Sequence, residues 1–249
     1  MPRSHKSLPR LRVEVPLAAM VEVGLGHEQT TYLLTVLRMK AGEAVVLFNG
    51  RDGAWLARIA DANRKGATLA IEVQLQHQSP RSNLWFGFAP LKTGRLDYLV
   101  QKATEMGAGV IQPVITRYTQ VSKLRHDKLV ANVIEAAEQC EVLSVPTVAP
   151  EIGLADLLAG WQQREGLRRL IFCDEAAPVH GPAQQLADLD GLPIGILVGP
   201  EGGFSDEERA ALLACSFVVP ISLGPRILRA DTAAVAALAV VQAIIGDWR

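Results

Sequence analysis

Apolar and polar positions change rhythm once along this chain. Over the first third they alternate, or run apolar, in strand-length stretches: RLRVEV, EAVVLF and TLAIEVQL. The turn-forming stretches NGRDG and DANRKG bound them. One helix interrupts, TTYLLTVLRMK, with Leu33, Leu34 and Leu37 at helical spacing and Gly42 beyond. This pattern predicts a small β-barrel-type domain over residues 1–78, and the polar, proline-containing QHQSPRSN at 76–83 supplies the boundary.

From residue 79 onward strand and helix alternate. LWFGFA reads as a strand, RLDYLVQKATEMG as a helix closed by Gly107, VIQPVIT as a strand, and DKLVANVIEAAEQC as a helix. A helix (LADLLAGW), two strands (RLIFCD, PIGILV), a helix (DEERAALLAC), the strand FVVPISLG and the helix TAAVAALAVVQAII complete the order. Such alternation predicts an α/β domain over 79–249, built on a mostly parallel sheet, with ligands at the carboxyl ends of the strands.

Two glycine-bearing turns fall at such ends. The first lies in ILVGPEGGFSDEE, residues 196–208. It lacks the Lys of a Walker A loop, and Gly199, Gly202 and Gly203 do not have the dinucleotide-fingerprint spacing. The helix that follows excludes phosphate more firmly. Ser205 and Glu208 form a capping-box pattern, and Asp206, Glu207 and Glu208 fill the positive end of the helix dipole. A neutral or cationic ligand fits better. A tight turn needing positive φ would account for Gly202 or Gly203, but not for Glu201 held between Pro and Gly.

The second turn is SLGPRILRADTAA, 222–234. Arg226 and Arg229 lie three apart, so one helical turn would put both on one face, where they suit an anionic partner or pair with nearby acids. Asp231 or Thr232 can cap the last helix, which is apolar almost all round and must be covered by its own domain or by a second subunit.

Composition narrows the class. Apolar residues make up 49% of the 249 and charged residues 20%, enough for a sizeable core. No apolar run is long enough to span a bilayer, and MPRSHKSLPRLR leads into no apolar signal region. Three scattered cysteines without a C-x-x-C pair fit a reducing cytoplasm, and the five histidines show no metal-ligand spacing, so no metal is expected. The net charge of −1 conceals a basic front: ten Lys/Arg face seven Asp/Glu up to residue 78, against fifteen and nineteen afterwards. Clustered cations of this kind are compatible with a polyanion, and equally with an ordinary solvated surface.

LVGPEGGFS followed by LGPRILRADTA resembles the bacterial 16S ribosomal RNA uridine N3-methyltransferases of the SPOUT superfamily. VLRMKAGEAVVLFNG, LKTGRLDYLVQKATEMG and EAAEQC before VPTV agree, so the resemblance covers essentially the whole chain. It implies a PUA-like RNA-binding barrel followed by a trefoil-knotted domain that binds S-adenosylmethionine, with an active site formed across a cytoplasmic homodimer. The cofactor loops would be Val198, Gly199, Pro200, Glu201, Gly202 and Gly203, then Leu223, Gly224, Pro225, Arg226, Ile227 and Leu228, with Cys173 a further candidate. Arg229 would stabilise the uracil anion or hold RNA, and Glu201 would orient its loop. Arg3, Arg10, Arg12, Arg38 and Arg226 would contact 16S rRNA in the small ribosomal subunit.

The chain departs from the family pattern at two places. Glu141-Val142 stands where Gly-Arg usually follows EQC, and Asp231 where Glu is usual. Two other readings remain at this stage: a ribose 2′-O-methyltransferase of the same superfamily, and a catalytically silent RNA-binding assembly protein.

Overall fold

The computed structural model describes residues 8–63, 66–121, 123–177 and 181–249. They form two compact units, the first comprising the described residues within 1–81 and 137–145, the second those within 82–136 and 146–249.

In the first unit, β1 (Arg10–Arg12), β2 (Glu22–Gly24), β3 (Ala44–Phe48), β4 (Ala54–Asn63) and β5 (Gly66–Gln76) form one sheet in the order β1-β3-β4-β5-β2. Only β1 and β3 run parallel, with Leu11 opposite Leu47. Period-two alternation buries Ala67, Leu69 and Ile71 of β5 against Leu11, Leu33, Val45 and Leu47. Three register shifts between β4 and β5 mark bulges, which bend a sheet around such a core. The stretch DANRKG, expected as a turn, is largely strand: β4 continues through Asn63 and β5 resumes at Gly66.

The helix of this unit also differs from expectation. Helix α1 (His27–Thr31) passes into a π-helical turn, Tyr32–Val36, in which the Leu37 N–H donates to the Tyr32 carbonyl at 2.9 Å. The wider turn rotates the face: Leu33 is buried, Leu34 half-buried and Leu37 exposed. Arg38 follows in left-handed backbone at φ 57°.

The second unit carries a parallel sheet in the order β12-β10-β11-β6-β7-β8. Its strands are β6 (Trp85–Phe88), β7 (Val110–Ile115), β8 (Thr147–Val148), β10 (Arg169–Cys173), β11 (Ile194–Val198) and β12 (Val218–Ile221), and β9 (Ile152–Gly153) also pairs with β7. Helices α2 (Thr93–Glu105), α3 (His126–Gln139), α4 (Leu154–Ala159), α5 (Trp161–Glu165), α6 (Pro182–Ala187), α7 (Asp206–Ala214) and α8 (Ala230–Ile245) alternate with them. Every residue of β6 and β11 is buried, as a strand covered on both faces requires. Trp161 anchors one side, edge-on to Trp85 at 5.0 Å and stacked with Phe217 at 5.7 Å, while its indole N–H donates to the Arg168 carbonyl. Burying each such ring stabilises the fold by about 2–3 kcal/mol.

Helix α8, apolar on most sides, buries Ala234, Ala237, Leu238 and Val241. Its one buried polar side chain, Gln242, donates to the Met106 carbonyl at 2.7 Å and accepts from the Asp247 N–H. Among the described residues no helix is long and apolar enough to cross a membrane. Most important for function, β10, β11 and β12 lie side by side in parallel. The turns leaving their carboxyl ends therefore converge.

Candidate functional site

The buried run of β11 ends at Val198, and the chain turns through Gly199-Pro200-Glu201-Gly202-Gly203. Phe204 then folds back, with its ring edge-on to Phe172 at 5.1 Å. That return needs a bare Cα at Gly199, where a Cβ would stand 2.6 Å from the Phe204 ring. Gly203 takes φ 70°, the left-handed region that favours glycine. Ser205 caps α7 with both bonds of the capping box: Glu208 N–H to Ser205 Oγ at 3.2 Å, and Ser205 N–H to the Glu208 carboxylate at 3.0 Å. The helix thus satisfies its own N-terminus, leaving no phosphate cradle there.

The turn after β12 begins at Ser222, whose Oγ accepts from the Gly224 N–H. Two expectations are corrected here. Residues 223–229 are not a helical turn, because α8 starts only at Ala230, so the spacing of Arg226 and Arg229 does not place them on one helix face. The N-cap residue is Arg229, without a side-chain cap bond. Asp231 sits inside the first turn, and its carboxylate accepts from Thr232 N–H.

At the end of β10, Asp174 is only 4% exposed. A buried carboxylate needs a partner, and Arg209 of α7 supplies it: Nε lies 3.1 Å from both oxygens and Nη2 2.9 Å from Oδ2. The Ala176 N–H adds a fourth bond. Beside it, burial pushes the Cys173 thiol up to about 12, so it stays protonated at neutral pH.

These three strand ends enclose a cleft of about 600 Å³, within the range of small-molecule sites. The candidates Cys173, Val198, Gly199, Pro200, Glu201, Gly203, Leu223, Gly224, Arg226, Ile227, Leu228 and Arg229 all line it. Gly202 does not; its bare Cα faces Tyr118 instead, where a Cβ would stand 3.2 Å from the Tyr118 Cβ. Ile227 is 89% exposed at the cleft, an apolar side chain free to cover a ligand.

Sequence reasoning missed Arg95, Asp174, Glu175, Phe204, Asp206 and Arg209 in the same cleft. For Asp174 the signal was available: it ends the apolar run RLIFCD at a strand's carboxyl end. Arg95 and Arg209 carry no such mark, since nothing local tells which strand end a helix will face. The charges are mixed. Arg95 pairs with Glu201 at 3.5 Å, whereas Arg226 and Arg229 form no ion pair among the described residues. Among those residues no group of three or more His, Cys, Asp or Glu side chains could hold a metal ion.

Most of the basic residues expected to contact RNA belong to the first unit. Arg10 is 10% exposed, lies over the Phe48 ring at 5.7 Å and is 3.9 Å from Glu141, and burial lowers its basicity. Arg12 pairs with Glu14 at 2.5 Å, and Arg38 is exposed. Arg3 lies outside the described residues. Glu141 adopts φ 61°, which gives the physical reason a glycine suits that place, while Val142 packs against the cluster of Phe48 and Leu143.

Comparison with known proteins places this geometry. Residues 77–242 match the RNA methyltransferase domain family, and residues 25–72 the RNA methyltransferase PUA domain. The chain is 34% identical over 235 residues, 94% of each chain, to the ribosomal RNA small subunit methyltransferase E of Rickettsia conorii. The crystal structure of the enzyme of that name from Neisseria gonorrhoeae, bound to S-adenosyl methionine, superposes with a TM-score of 0.81 at 29% identity, covering 97% of this chain and 100% of that one. A structure from Legionella pneumophila in complex with the cofactor SAM gives 0.80 at 29% identity, covering 95% and 97%. By its sequence along nearly its whole length and by its fold, the chain belongs to the ribosomal RNA small subunit methyltransferase E family.

Proposed function

We propose that the chain transfers a methyl group from S-adenosylmethionine to N3 of a uridine in 16S rRNA of the small ribosomal subunit. The observation that carries this reading is the cleft where β10, β11 and β12 end, walled by two glycine-bearing turns and lined by charges of both signs. The cofactor is a sulfonium with a zwitterionic amino-acid end and no phosphate. The residues present fit it. The turn backbone at Gly199 and Gly203 lines the cleft and can meet an adenosine, and the acids Glu175, Glu201 and Asp206 tolerate a cation. Arg95, Arg226 and Arg229 can face a carboxylate or RNA. The turns 198–203 and 223–228 would hold the adenosine, with the Cys173 end of β10 between them.

When bound, the cofactor supplies an electrophilic methyl group. This chain's residues must present the uracil and manage its charge. N3 carries a weakly acidic proton that leaves before or during attack, so negative charge develops on the ring. A guanidinium free of internal partners stabilises that charge better than one already paired. We assign that role to Arg229, the N-cap residue of α8, which like Arg226 forms no ion pair among the described residues. Glu201 holds the first turn through Arg95 and thereby sets the wall against which the ligand lies. The trefoil knot and the homodimer that the resemblance implies belong to this proposal; a second copy would cover the half-buried apolar residues Val235, Val240 and Ile244 of α8.

The test incubates purified protein, methyl-labelled S-adenosylmethionine and small subunits lacking the modification. Label in 16S rRNA is expected. Cofactor binding without label would favour the silent assembly protein.

A further inference from the structure

The short loop after β7 is built more firmly than a connector needs. Thr116 N–H donates to Thr119 Oγ1 at 3.0 Å, the two threonine hydroxyls hydrogen-bond at 3.0 Å, and Thr119 N–H returns to the Thr116 carbonyl. The Arg117 N–H donates to the Glu208 carboxylate at 2.8 Å, the same carboxylate that closes the capping box of α7. This scaffolding presents Tyr118, which is 46% exposed, and its hydroxyl has no hydrogen-bond partner among the described residues. Its Cβ rests on Gly202, one residue from Glu201 in the cleft wall, and a side chain at 202 would crowd it at 3.2 Å. Arg117 adds an exposed guanidinium beside it.

We infer that Tyr118 is a stacking platform for an unpaired base of the substrate RNA, seated at the rim of the cleft by Gly202 and the Thr116–Thr119 turn. The inference rests on the RNA-methyltransferase reading above and deepens it. A base on which N3 reacts must leave its helix, since pairing occupies that edge. Stacking engages only the ring face and leaves the N3 edge open. An exposed aromatic ring on a pre-ordered loop does this at small entropic cost, because the loop is already fixed before RNA arrives. The second glycine of GPEGG, Gly202, then has its own role, to carry the ring and not to touch the cofactor.

The test compares Tyr118→Ala, Tyr118→Phe and Tyr118→Leu with wild type. Filter binding measures affinity for unmodified small subunits, and calorimetry measures affinity for S-adenosylmethionine. Ala and Leu are expected to weaken subunit binding about 10-fold, with Phe within about 2-fold of wild type and cofactor affinity unchanged in all three. Wild-type binding by the Ala variant, equal binding by Leu and Phe, or a matching loss of cofactor affinity would each overturn the platform. Wild type that binds subunits but transfers no methyl group removes the transferase reading. The Phe and Ala affinities still decide the platform.

Discussion

Arg229 is the residue to which the proposed mechanism assigns the charge on the uracil. Arg229 lines the cleft, forms no ion pair among the described residues, and is the N-cap residue of α8. Arg229→Ala is expected to lower kcat about 100-fold while the calorimetric Kd for S-adenosylmethionine stays within about 3-fold. An equal loss of cofactor binding would move Arg229 into the cofactor site. Cys173 gives a pH signature. Its folded pKa is raised to about 12, so the stability it contributes is fully present below the unfolded thiol pKa and is lost as pH rises through the folded value. At pH 8 iodoacetamide should label exposed Cys140 well before Cys173, as peptide mapping would show. Glu141 stores backbone strain at φ 61° against a distant pairing with Arg10 whose acid is 42% exposed. Glu141→Gly is therefore expected to raise stability by roughly 1 kcal/mol, read as a Tm increase of about 2–4 °C.

At the scale of elements, the junction of β11 and α7 shows how local rules build a site. One carboxylate, Glu208, closes the helix cap and pins the loop of Arg117. Ser205→Ala removes only the cap and should cost about 1 kcal/mol in denaturant melts. Glu208→Ala frees the loop as well and should cost more. The capping box was legible because Ser, three acids and their spacing are local. So were β10, β11 and β12, whose apolar runs are strand-length, and both glycine turns at their ends. What the sequence hid was long-range or locally ambiguous. β4 has four alanines and only one β-branched residue, Ile59, to announce a strand, so bulged pairing with β5 decides it. The π-turn at Tyr32–Val36 shifts a face that a 3.6-residue period misplaces. Arg209 meets Asp174 across 35 residues, a pairing fixed by sheet order and not by spacing.

For the whole molecule, the matched families are an RNA methyltransferase domain and an RNA methyltransferase PUA domain, which the proposal reads as a transferase and an RNA contact. The basic excess before residue 79 agrees with that division, although Arg10 and Arg12 are engaged within their own unit. The proposed homodimer would cover the half-buried apolar residues of α8, and light scattering should then return twice the mass of one chain; a monomer at micromolar concentration would remove the homodimer from the account. The central claim concerns an atom: the methyl group goes to N3 of a uracil. Nucleoside analysis of 16S rRNA, from unmodified subunits treated with the protein and labelled S-adenosylmethionine, measures that directly. The account predicts all label in 3-methyluridine. Label in a 2′-O-methylated nucleoside, with the base untouched, would contradict it and assign the cleft to ribose chemistry.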